Sequence, residues 1–181
     1  MGEIVSLTGA SGAGKSTIAK ALGFPFVLST TTRLPKVSDL PGEYEYLEID
    51  DMVWEEKGWN TYLWIEEHAG NYYGTKREVV DLALQAPGIS MMILIPKVLP
   101  KLLDYAGKEK VLPFYIRSPS EEILRSRMEQ RGEKNDSIER RLQESKEWDQ
   151  QAEKSEIPYI FVTNNGTIEE AVEQVRKYLK S

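Results

Sequence analysis

The octapeptide Gly9-Ala10-Ser11-Gly12-Ala13-Gly14-Lys15-Ser16 gathers residue types that share one chemistry, the holding of polyphosphate. Glycines at its first, fourth and sixth positions let the main chain fold back so that successive N–H groups point at phosphate oxygens. Lys15 supplies a point charge for the outer two phosphates, and the Ser16 hydroxyl is an oxygen of the kind that magnesium accepts. The apolar run Ile4-Val5-Ser6-Leu7 ends just ahead of the loop and a helical pattern opens at about Lys15. A strand therefore hands over to a helix here, and the helix dipole adds to the attraction for anions. The expected ligand is a nucleoside triphosphate.

Two further groups of residues suit anions. Ser29-Thr30-Thr31-Thr32-Arg33-Leu34-Pro35-Lys36 sets hydroxyls and two cations at the end of an apolar run, where an open α/β sheet presents its ligand crevice. Arg33 can grip phosphate oxygens with its planar fork and Lys36 adds a charge without that geometry; a polar turn closed by Pro35 would use the same residues. Farther on, Arg127 and Arg131 fall four apart on one helical face, Gly132-Glu133-Lys134-Asn135-Asp136 interrupts, and Arg140-Arg141 follow. His68 is the sole histidine and has no metal-ligand spacing to any partner, so it receives no role.

The elements that must position these groups alternate. Apolar runs at Ile4–Leu7, Phe26–Leu28, Ile89–Ile95, Leu112–Ile116 and Tyr159–Val162 are separated by stretches of helical spacing, which predicts an α/β fold with a mostly parallel sheet flanked by helices. Ser118, Pro119 and Glu121 read as N-cap, first position and capping box of one helix, and Thr167 with Glu170 announces the last. Between Thr30 and about Tyr73, prolines, aromatic residues (Tyr44, Tyr46, Trp54, Trp59) and carboxylates break the alternation, as an insertion holding a second substrate or a plain hairpin lobe would. At 181 residues one domain is expected, and the net charge of −6 argues against a nucleic-acid surface. With no cysteine, no leader-like start and no long apolar run, the expectation is a cytoplasmic protein away from the membrane.

Ser29-x-Thr-Thr-Arg33-x-Pro35-Lys36 paired with Gly70-Asn71-Tyr72-Tyr73-Gly74-Thr75 behind an intact phosphate loop resembles the guanylate kinases, and the likeness continues through Arg131-Gly132, Ile138-x-x-Arg141-Leu142 and Val162-Thr163-Asn164. The resemblance implies a P-loop NTPase core with a small substrate-binding insertion over residues 30–85 and a helical lid over 125–141, within a single domain of residues 1–181. It implies transfer of a phosphoryl group from ATP to GMP or dGMP with magnesium. Lys15, Arg131 and Arg141 would then act on the transferring group, and ATP would lie against Gly9, Ala10, Ser11, Gly12, Ala13, Gly14, Lys15, Ser16, Thr17, Arg127 and Asn164. Arg33, Lys36, Tyr44 and Tyr73 would hold the acceptor phosphate; Ser29, Glu66 and Thr75 would read guanine, with Glu67 an alternative to Glu66. The acidic residues usual at the end of the third strand are missing from Met91-Met92-Ile93-Leu94-Ile95-Pro96-Lys97, which leaves magnesium to Ser16 and Asp39, and Lys36 stands where an arginine is usual. Kinases of ribose 1,5-bisphosphate type and silent guanylate-kinase-like binding domains share parts of the pattern.

Overall fold

The computed structural model describes residues 2–179 apart from 38, 53–60, 69 and 131; Arg131, Trp54 and Trp59 thus lie outside the described residues. The elements run β1 (Glu3–Thr8), α1 (Lys15–Leu22), β2 (Ser29–Thr31), β3 (Tyr44–Tyr46), β4 (Tyr62–His68), β5 (Asn71–Lys76), α2 (Arg77–Gln85), β6 (Ile89–Ile93) and α3 (Leu99–Ala106). There follow β7 (Val111–Ile116), α4 (Glu121–Gln130), α5 (Asn135–Glu153), β8 (Ile160–Val162) and α6 (Ile168–Arg176). One four-stranded sheet has the order β6-β1-β7-β8, with β7 and β8 parallel. The other has the order β3-β2-β5-β4 and is mixed: β2 runs parallel to β3 and antiparallel to β5, and β4 and β5 form an antiparallel hairpin.

Two compact units divide the chain. The first comprises Met1–Val5, Phe24–Met92 and Lys97–Leu112, and holds the mixed sheet with α2 and α3. Its buried residues include Tyr62, Trp64, Val80, Leu99 and Leu102. Gly74 is needed where it stands, because a Cβ there would lie 2.6 Å from Met52 Cε and 2.7 Å from the Tyr62 ring, both of them core atoms. The second unit comprises Ser6–Gly23, Ile93–Pro96 and Pro113–Ser181, and holds the phosphate loop, α1 and α4 to α6. Phe114, Tyr115 and Ile116 of β7 are all fully buried, as expected of a strand covered on both faces. Leu124 and Met128 of α4 pack on Ile138 and Leu142 of α5 in one apolar cluster that fixes the two arginine-bearing helices against each other.

Two expectations need correction. The run Phe26–Leu28 makes no strand: Phe26 forms an isolated parallel bridge to Met91, and the next strand, Ser29–Thr31, belongs to the mixed sheet. The helix expected to start at Pro119 starts at Glu121, with Ser120 Oγ accepting from Ile123 N at 3.4 Å. Ser118 is drawn to α5 instead, its N–H donating to Asp149 at 3.1 Å and its Oγ accepting from Ser145 at 2.6 Å. The Thr167 and Glu170 capping box is present as read. Among the described residues no helix is long and apolar enough to cross a membrane.

Candidate active site

In the second unit the phosphate loop is closed by its own side chains. Lys15 Nζ donates to the carbonyl oxygens of Gly9 and Ala10 at 2.7 and 2.8 Å, so the ammonium lies over the loop's first residues. Gly14 has φ 103°, and a Cβ there would stand 2.1 Å from Asn164 Nδ2, which donates to Ala13 O at 2.8 Å. Only glycine combines that backbone with that approach. Arg127 donates to Gly12 O at 3.1 Å, and Arg141 to Ser11 Oγ at 2.8 Å and Glu133 at 3.1 Å. The loop, Arg127, Arg141 and Asn164 therefore come together, although α4, α5 and β8 lie more than a hundred residues along the chain from it. A cleft of about 490 Å³ opens here, lined by Thr17, Arg127, Gln130, Asn164, Gly166 and Ile168 among others. Gln130 and Gly166 carried no signal in the sequence, and Ile168 was readable only as part of an apolar helical stripe.

In the first unit, strand register gathers a second set. Directly opposed residues of paired strands project to one face. Thr31 faces Tyr73 and, two residues away, Ser29 and Thr75 meet through their hydroxyls at 3.2 Å. Ser29 and Thr31 pair with Tyr44 and Tyr46 of β3, and Glu66 of β4 pairs with Tyr73. Ser29, Tyr44, Glu66, Tyr73 and Thr75 thus share one face, whereas Glu67 pairs with Tyr72 and belongs to the other. The rings of Tyr44 and Tyr73 meet edge to face at 6.2 Å. Burial foremost pushes the Tyr44 hydroxyl far above its ordinary range, so it remains a hydrogen-bond donor at any physiological pH.

Arg33, buried, stacks over the Tyr44 ring at 4.7 Å and forks onto Asp39 at 2.8 and 2.7 Å. Asp39 Oδ2 also accepts from Lys36 N and Tyr46 Oη, each at 2.7 Å. Burial alone would raise the Asp39 carboxyl, but the hydrogen bonds from Arg33, Tyr46 and Lys36 N outweigh it and bring it to about 2. The Lys36 side chain is exposed. Asp39, offered to magnesium by the resemblance, here has both oxygens engaged by Arg33 and acts as the holder of that guanidinium.

Glu66 receives one lysine on each oxygen: Lys97 Nζ on Oε2 at 2.5 Å and Lys101 Nζ on Oε1 at 3.0 Å. The Lys97 hydrogen bond is the main cause that holds its carboxyl below the usual range; burial opposes this and Lys101 reinforces it. The lysines escape sequence reasoning because they lie 31 and 35 residues from Glu66.

Among the described residues no cluster of three His, Cys, Asp or Glu could hold a metal. Magnesium needs no such cage, since it keeps waters and takes one or two protein oxygens beside substrate phosphates. The exposed Ser16 hydroxyl in the first turn of α1 fits that demand, whereas the Asp39 charge is already paired with Arg33 and its Oδ2 is filled by Arg33, Lys36 N and Tyr46 Oη.

The strand, glycine loop and helix, with arginines and an asparagine turned onto the loop, are the phosphate-binding core of a P-loop protein. The family model for guanylate kinase matches residues 1–181. A guanylate kinase of Trichormus variabilis is 32% identical over 165 residues, covering 88% of this chain and 82% of that protein. One of Symbiobacterium thermophilum is 31% identical over 182 residues, covering 97% and 83%. The crystal structure of guanylate kinase from Anaplasma phagocytophilum superposes with a TM-score of 0.70 at 20% identity, over 97% of this chain and 83% of that one, and so shares the fold. The chain belongs to the guanylate kinase family.

Proposed function

We propose that this protein transfers the terminal phosphoryl group of ATP to GMP, giving ADP and GDP. The observation that carries the reading is the common face of Ser29, Tyr44, Glu66, Tyr73 and Thr75, bordered by Arg33 stacked on Tyr44. It offers what a guanine nucleotide needs: a carboxylate for the ring N–H and exocyclic amine, two hydroxyls at 3.2 Å from each other for polar atoms of the base, and phenolic and guanidinium donors for the phosphate. Adenine would leave the carboxylate facing a lone pair, which is the kind of mismatch that discriminates strongly.

On the donor side Gly9 to Thr17 would cradle the phosphates of ATP, with Arg127 and Asn164 bordering the cleft. Lys15 would leave its two loop carbonyls for the outer phosphates, and Arg141, with Arg131, would stabilise charge on the equatorial oxygens as the bond to the leaving group lengthens. Magnesium, held by Ser16 and phosphate oxygens, would neutralise further charge on that group. No general base is needed, because the acceptor phosphate is already an anion. Residues 30–85 form the acceptor region and 125–141 the lid in this reading.

Coupled ADP release measured with magnesium ATP against GMP, dGMP, AMP, CMP, UMP and phosphorylated sugars tests the proposal. Turnover confined to guanine nucleotides is expected. Turnover of a sugar phosphate with none of GMP would overturn it.

A further inference from the structure

Glu66 is one carboxylate between two ammonium groups, so its neighbourhood carries a surplus positive charge. Lys101 projects from the body of α3, while Lys97 sits in the short helical turn Pro96–Val98 just before it, one helical turn away. Lys97 is 71% exposed and Lys101 48%, against 12% for Glu66. A lysine has three N–H donors. One donor of Lys97 lies on Glu66, and no other acceptor among the described residues engages it. An exposed ammonium with spare donors beside a nearly covered carboxylate is a poor device for stability, since exposed ion pairs contribute little. As a recognition device it has a definite complement. Carboxylate and ammonium side by side present acceptor, acceptor, donor, and a 6-oxopurine with a 2-amine presents donor, donor, acceptor along its pairing edge.

We propose that Lys97 is a specificity-determining residue of the acceptor's base subsite, donating to the 6-oxo oxygen of the purine while Glu66 accepts from the adjacent ring N–H and amine, with Lys101 as the positioning residue that keeps the carboxylate in plane. This rests on the reading that Glu66 faces the base of GMP. Each Glu66 oxygen has a second lone pair beyond the one that a lysine occupies, so the base joins the pair without displacing it. Adenine meets two mismatches instead of one: its N1 lone pair faces the carboxylate and its 6-amine faces the ammonium. Rejection therefore comes from both sides of the edge.

The test uses the full chain with magnesium ATP and three acceptors, GMP, IMP and AMP, in wild type and in Lys97→Met, Lys97→Arg and Lys101→Met. IMP keeps the 6-oxo group and ring N–H of GMP and lacks only the amine. Lys97→Met should lower kcat/KM for GMP and IMP together by about tenfold or more, the size of a lost charge-assisted hydrogen bond. The GMP to IMP ratio should hold, the GMP to AMP ratio should narrow, and KM for ATP should stay within about twofold of wild type. Lys97→Arg should restore most of the GMP to AMP ratio, a rescue that a purely structural role would not produce. Calorimetric titration of GMP without ATP checks the same loss in binding alone. If Lys97→Met turns over GMP within about twofold of wild type, the inference fails while the proposed function stands. If its GMP to IMP ratio shifts and its GMP to AMP ratio does not, Lys97 only holds Glu66 and the inference fails likewise. Wild type that ignores GMP and phosphorylates a doubly phosphorylated sugar would overturn both readings, and would make the lysine pair a second anion site.

Discussion

Arg33 and Asp39 form a doubly bonded ion pair within the first unit. The guanidinium is stacked on Tyr44, forked by the carboxylate and bonded to Leu34 O at 2.9 Å, while the carboxylate takes two further donors. Burial alone would lower the Arg33 pKa, yet Asp39 more than compensates, so the cation is secure. Under the proposed function Arg33 also receives the acceptor phosphate, and a fork gripped from one edge by a carboxylate is fixed in direction for that task. We expect Asp39→Asn to lower unfolding stability at pH 7 by about 1–3 kcal/mol, measured in urea, and to raise KM for the acceptor more than KM for ATP. The pH dependence follows from the depressed carboxyl. Its stabilising contribution is complete above the unfolded value of about 3.9 and fades as the pH falls through about 2, so the stability gap between wild type and Asp39→Asn should be full at pH 6 and nearly closed at the acid end. A gap that does not change with pH would mean that the carboxylate charge is not what holds the turn.

At the scale of elements, Gly74 sits in the middle of the mixed sheet, opposite Thr30 on one side and Ile65 on the other. Gly74→Ala would drive a methyl group into Met52 and Tyr62, and should cost about 1–3 kcal/mol with a loss in acceptor affinity and little change in the affinity for ATP, read by thermal unfolding and separate titrations. An unchanged melting temperature would show that the core side chains shift aside freely. How far these elements were legible in the sequence depends on how local their causes are. The phosphate loop and the α6 cap were readable because glycine conformations and a three-residue cap are local facts. Phe26–Leu28 misled because an apolar run reveals burial but not pairing, and only one bridge forms there. The start of α4 misled because Ser118 and Ser120 are both fit caps, and the choice is made by Ser145 and Asp149 on a helix still to come. That Glu66 and not Glu67 shares the face of Tyr73 depends on strand register, and the Lys97 and Lys101 grip on a tertiary approach; neither leaves a mark in local spacing.

For the whole molecule, the phosphate loop with Arg127, Arg141 and Asn164 belongs to one compact unit, and the shared face of Ser29, Tyr44, Glu66, Tyr73 and Thr75 to the other. If the proposed transfer takes place, both bound phosphates must come to one point with water shut out, and binding an ATP analogue that cannot be hydrolysed together with GMP should reduce the radius of gyration read by small-angle scattering. Either ligand alone should do so less, and no change with both would count against closure. The most direct test of the central claim follows the phosphate itself. With ATP labelled in its terminal phosphate, magnesium and GMP, the label should appear in GDP, stoichiometric with ADP formed, and Lys15→Met should abolish its appearance while keeping the melting temperature of wild type. Label recovered only as inorganic phosphate, or in no product at all, would contradict the account.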